Sequence, residues 1–157
     1  MTAKRTTWTY YDGRWQEGDV RILGAASYAT WLGSLVFDGA RHFEGVSPDL
    51  DLHCARINAS ARALGLEPTL SAAAIETLTR EGLKKFGTGA DVYIRPMYWA
   101  EESDAGTVPP LSSSTAFALC LEEIPMAQPS GFSVTTTSFR RPTLEVMPVN
   151  AKAACLY

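Results

Sequence analysis

Two helical stretches follow one another directly in this chain, set between β-rich runs, and that order restricts the fold more than any other feature. The first, SPDLDLHCARINASARALG, opens on Ser47-Pro48-Asp49 as a cap-like start. It carries Leu52, Ala55, Ile57, Ala59, Ala63 and Leu64 as apolar positions and stops at Gly65. The second, within TLSAAAIETLTREGLKKFG, takes Ser71 as its cap and sets Ile75, Leu78, Leu83 and Phe86 on one face. Lys84 and Lys85 fall in its last turn and Gly87 lies outside it.

The flanking runs read as strands. In WTYYDGRWQ, Asp12-Gly13 separates two aromatic-rich segments, a hairpin signal because the turn requires positive φ. A short helix is expected from Ser27, then a strand over residues 35–43, with Gly33 and Gly39 permitting close backbone approach. DVYIRPMYWA, STAFALCLEEI and GFSVTTTSF complete the β-rich set. The prediction is an α+β fold, a small N-terminal domain of antiparallel sheet with two main helices. Residues 122–131, EEIPMAQPSG, hold two prolines and a glycine and read as a linker. The expected division is therefore a small domain at 1–121, the linker at 122–131, and the first strands of a larger α/β domain from 132 to 157, too short for a core of its own.

Charge and cysteines narrow the function. A formal net charge of −3 offers no field for nucleic acid or an anionic membrane. Cys54, Cys120 and Cys155 are odd in number and unpatterned, which argues against a disulfide framework and against a metal site. The basic opening MTAKRTTWTYYDGRWQ lacks an apolar segment after it, and no run is long enough to span a membrane. These features favour a soluble cytoplasmic protein.

The closing stretch VMPVNAKAACLY sets one lysine, Lys152, among small and apolar residues. A lysine becomes a useful nucleophile when its ammonium is desolvated or crowded by other cations. On local composition alone, a lysine between alanines is an exposed and inert one.

The wider pattern separates the two readings. PVNAKAACLY resembles the lysine segment of the class IV, or fold-type-IV, pyridoxal-phosphate aminotransferases, among them the branched-chain and D-amino acid aminotransferases and aminodeoxychorismate lyase. GSLVFDGAR resembles the family's Gly-x-x-Val-Phe-Glu-Gly-x-Arg strand, LDLHCARINASARALGL its His-x-x-Arg-Leu helix, and VYIRPMYW its Tyr-Ile-Arg-Pro strand, all in the family's order. The resemblance implies that Lys152 forms a Schiff base with the pyridoxal 5'-phosphate cofactor and shuttles a proton. Arg56 would then grip the phosphate, and Tyr157 the phenolic oxygen. Phe37, Arg41, Tyr93 and Arg95 would line the substrate side.

Each residue also has a plainer reading. Arg56 can be an exposed helix arginine, Tyr157 a core tyrosine with its hydroxyl at the surface, and His53, one turn before Arg56, a packed histidine. Arg95 on an apolar strand needs an anion, and Glu101 or Glu102 could supply one structurally. Asp38 stands where the family has glutamate, which weakens any role inferred for it. Leu32 replaces a tyrosine of branched-chain members. Arg140 and Arg141 read as a solvated pair that could meet a dicarboxylate.

The resemblance implies a ping-pong transaminase that moves an amino group from an amino acid or amine to a keto acid, branched-chain-like in kind. Its partners would be that donor and acceptor, with a second copy in a homodimer. A lyase on the same cofactor, or a non-catalytic fragment, are the alternatives. Because the family's partner for the pyridine nitrogen follows the lysine strand, the chain is expected to be the first part of a polypeptide of roughly 280 to 350 residues.

Overall fold

The computed structural model describes residues 5–104 and 108–157. Ala105 and Gly106 of the acidic loop that follows Trp99, and the first four residues of the basic opening, lie outside the described residues.

The aromatic hairpin forms as expected. β1 (Thr7–Tyr11) and β2 (Arg14–Glu17) turn through Asp12 at φ 53° and Gly13 at φ 73°. α1 (Tyr28–Leu32) follows Ser27 and ends on Gly33 in the left-handed region. Residues 35–43 do not form one strand but two, β3 (Leu35–Phe37) and β4 (Ala40–His42), broken at Asp38-Gly39. Then come α2 (Leu50–Ala63), α3 (Ala72–Leu83), β5 (Val92–Ala100) and β6 (Thr115–Glu123).

All pairings are antiparallel, in the order β2-β1-β6-β5-β3, with β4 also on β5. β3 pairs Met97 to Trp99, and β4 pairs Val92 to Ile94. Pro96, lodged in this central strand, falls in the gap between them. Its carbonyl accepts from Asp38 N at 3.0 Å, so its nitrogen, which has no proton to donate, faces the break where the ladder is interrupted.

Alternation along β5 separates two faces. Val92, Ile94, Tyr98 and Ala100 are buried under the helices, packed with Leu50, Cys54, Ile57, Ala61 and Ile75. α2 buries part of the expected stripe: Ile57, Ala63 and Leu64 pack on the core, but Leu52, Ala55 and Ala59 are exposed, and Cys54, Asn58, Ser60 and Ala61 face inward. The polar residues among them have partners: Asn58 Nδ2 donates to Leu70 O and Ser60 Oγ accepts from Lys152 N. The start of α2 also differs. Asp49 takes φ 50° and its side chain makes no cap, whereas Ser71 Oγ accepts from Ala74 N at 3.1 Å and caps α3 as expected.

On the other face, Tyr11, Ile22, Leu35 and Met97 pack around Trp99, Ala118 and Ala29 at one end. The remainder, with Phe37, Arg41, Tyr93 and Arg95, lies on a half-buried surface free of helices.

β6 runs to Glu123, two residues into the expected linker. Beyond it, GFSVTTTSF carries strand-like residues but forms no strand, and Phe132, Val134 and Phe139 are exposed. A strand needs a neighbour to take up its N–H and C=O groups, and this stretch has none among the described residues. The chain then returns. Ala153 bridges Val36, Lys152 O accepts from Phe37 N at 3.0 Å, and Ser60 Oγ accepts from Lys152 N at 3.0 Å. Ala151, Ala153 and Leu156 are buried in the main core.

Candidate active site

Lys152 owes its position to the return of the chain. Ala151 and Ala153 turn into the core, and alternation sends the lysine side chain the opposite way, over Phe37. Its Nζ stands 5.0 Å from the Phe37 ring centroid and 3.4 Å from the Tyr157 hydroxyl, at the long end of hydrogen-bond reach. The lysine is half-buried rather than sealed from water.

Tyr157 is 73% exposed. Its ring faces Phe37 at 6.2 Å between centroids, and the Arg141 guanidinium lies 5.0 Å from its centroid. Arg141 also donates from Nε to Leu156 O at 3.1 Å. Both arginines at 140–141 are exposed, and Arg141 in addition leans on the Tyr157 ring.

Arg56 reaches the same place from α2. It stands one turn before Ser60, which accepts from the Lys152 backbone, and its bonds are to Asp38, the neighbour of Phe37. Nε donates to Oδ2 at 2.6 Å and Nη2 to Oδ1 at 2.8 Å. His53 Nδ1 lies 2.8 Å from Oδ1, and Gly39 N donates to Oδ1 at 2.7 Å. Arg56 Nη2 and His53 Nδ1 come within 3.1 Å of each other because both converge on that oxygen. Asp38 is wholly buried. Burial alone would raise its carboxyl, but hydrogen bonds from Arg56, His53 and Gly39 reverse this and hold it below the ordinary range. The same bond to Asp38 pushes the Arg56 guanidinium up against the opposing effect of burial. The aspartate that breaks the family pattern is the best-satisfied carboxylate in the site.

The other expected residues lie along the same sheet face. Tyr93 has two guanidiniums beside it, with Arg41 and Arg95 each 5.2 Å from its ring centroid. Arg41 donates from Nη1 to Ile124 O at 2.7 Å. Arg95 pairs with Glu122 at 3.3 Å, not with Glu101 or Glu102. Glu101 instead accepts from Trp99 Nε1 and Ser27 Oγ. Lys152, Tyr157, Arg56 and Phe37 thus form one group and Arg41, Tyr93 and Arg95 a second. The turn at 37–41 joins them, with Gly39 beneath Tyr93: a Cβ there would fall 2.3 Å from the tyrosine hydroxyl.

Comparison with known proteins identifies the family. The family described as Amino-transferase class IV matches residues 35–156. The chain belongs to the class IV aminotransferases. A crystal structure of an aminotransferase from Brucella abortus bound to the cofactor PLP is 79% identical over 98% of this chain and 55% of its own, with a TM-score of 0.95. The branched-chain amino acid aminotransferase of Escherichia coli shares the fold at 22% identity and a TM-score of 0.82, covering 97% of this chain and 51% of its own. Among curated relatives, a probable branched-chain-amino-acid aminotransferase of Rickettsia bellii is 26% identical over 88% of this chain and 48% of its own length. The chain spans about half the length of these relatives.

As a member of the class IV family, the chain bears each quoted motif on an element that reaches one sheet face or its edge. Among the described residues no group of histidine, cysteine, aspartate or glutamate is arranged to hold a metal ion, and no helix is long and apolar enough to cross a membrane.

Proposed function

We propose that this chain supplies the lysine side of the active site of a pyridoxal-phosphate-dependent aminotransferase, which moves an amino group between an amino acid or amine and a keto acid. The observation that carries the proposal is the meeting of an amine and a phenol at Lys152 and Tyr157, beside the Phe37-Asp38 turn that holds the Arg56 guanidinium, in a class IV chain. The Brucella relative's bound PLP supports the cofactor, and the Rickettsia relatives support a branched-chain-like substrate.

The residues present fit that cofactor. Lys152 offers an amine for the aldehyde carbon, Tyr157 a hydroxyl for the phenolic oxygen, and Arg56 a guanidinium edge left over for the phosphate. Pyridoxal phosphate, when bound, supplies an electrophilic carbon and an electron-accepting ring. Lys152 Nζ would take the proton released at the donor carbon and return it, while Phe37 shields that amine from water on one side. Arg41 and Arg95 give the neighbouring face positive charge suited to a substrate carboxylate. The donor leaves as a keto acid or ketone before the acceptor enters, so the two half-reactions share one site.

Borohydride reduction followed by intact mass and peptide mapping tests the proposal. A reduced pyridoxyl adduct on Lys152, absent in Lys152→Ala together with transfer activity, is expected. An adduct confined to other lysines, or unchanged transfer by Lys152→Ala, sinks it.

A further inference from the structure

Asp38 presents an unusual combination: a fully buried carboxylate whose two oxygens are saturated by Arg56, His53 and Gly39, placed one residue from Phe37 in the turn joining the two groups of site residues. Arg56, by contrast, is half exposed, with 51% of its side chain accessible. A planar guanidinium engaged side-on through Nε and Nη2 must turn Nη1 away from the carboxylate. Charge alone does not need this geometry, because a solvated arginine would attract an anion from many orientations. Fixing the fork selects one of them.

We infer that Asp38 is a positioning residue for the phosphate group: it locks the Arg56 fork so that Nη1 is held ready for a phosphate oxygen, and ties that donor to the turn that carries Phe37. The inference rests on the reading of the site as a pyridoxal-phosphate site. It assigns Asp38 no contact with cofactor or substrate. His53 contributes by occupying Oδ1 with Nδ1–H, which restricts where the guanidinium can settle. Ordering an arginine side chain costs conformational entropy on binding, and a fork already held by a buried partner has met that cost during folding.

The measurement is the preference of the purified protein for pyridoxal phosphate over pyridoxal, which lacks only the phosphate, read from equilibrium absorbance titrations rather than turnover. Asp38→Asn keeps the side-chain volume but sets an amide nitrogen, which cannot accept, in place of one of two oxygens that together accept four hydrogen bonds. It should weaken pyridoxal phosphate by about tenfold or more and leave pyridoxal within about twofold. Arg56→Lys keeps the positive charge without the fork, at a half-exposed position that tolerates the change. It should lose the phosphate preference to the same degree, and the double variant should lose no more than either single one. Arg56→Lys also carries the test if Asp38→Asn does not fold. Retained preference in both variants, equal weakening of both aldehydes, or additive losses would overturn the positioning role while leaving the cofactor reading intact. A wild-type protein that binds the two aldehydes equally removes Arg56 as the phosphate donor, and the role of Asp38 with it. The Lys152 adduct, tested separately, tells these failures apart.

Discussion

Asp38 has a consequence for stability as well as for binding. Because its carboxyl is held below the ordinary value in the fold, the stabilisation is complete above the unfolded carboxylate range, near pH 4, and is lost as pH falls through the lower folded value. Thermal unfolding of the wild-type protein should therefore weaken on acidification below about pH 4, and Asp38→Asn should show a shallower loss over that interval. Parallel pH profiles would mean that the buried network contributes nothing through its charge. Neutral-pH melting is expected to drop in the variant as well, since the partners of a buried carboxylate lose their acceptor.

At the scale of elements, the approach of α3 to the hairpin depends on one missing side chain. Gly82 lies inside the helix, where glycine costs stability relative to alanine, yet a Cβ there would fall 2.3 Å from the Trp15 ring and 2.5 Å from Leu121. The contact leaves Lys85 beside Trp8, with its Nζ 4.6 Å from the ring centroid. Gly82→Ala should destabilise the protein by about 1–3 kcal/mol in denaturant unfolding, the overpacking outweighing the gain in helix propensity of about 1 kcal/mol. A stabilised variant would show that the hairpin yields without cost. β5 illustrates the same dependence on neighbours, since Pro96 is tolerated in a central strand because β3 and β4 part beside it.

For the molecule as a whole, the lysine segment is part of the core that the sheet and helices build, despite following a long stretch without helix or strand. Leu156 is 2% exposed and Ala153 fully buried, so the segment that carries Lys152 and Tyr157 is fixed by the same packing that folds the sheet. Leu156→Ala should cost about 2–5 kcal/mol in denaturant unfolding and loosen Tyr157 with it. A change below about 1 kcal/mol would mean that the return of the chain adds little to the core. We propose that the division at residues 122–131 is one of chain direction more than of packing. Limited proteolysis tests this: cuts confined to 124–146 that leave 147–157 bound to the sheet support it, and release of the C-terminal peptide refutes it.

Much of this was legible in the sequence because it depends on local chemistry. The Asp12-Gly13 turn, the cap at Ser71 and the alternation of β5 each follow from residue types within a few positions. Other features depend on residues far apart in the chain. Asp38 looked like a weakened copy of a glutamate until α2 brought Arg56 and His53 onto it, and Arg141 had no ring beside it until the chain end set Tyr157 there. GFSVTTTSF has the composition of a strand, but pairing takes a second strand, and composition cannot provide one. The sequence by itself determined which segments were helix-forming or strand-forming, since propensity and pattern are short-range. Only the tertiary structure decided which charges meet, because an ion pair is set by where two backbones are carried, and that is fixed by the packing of the whole core.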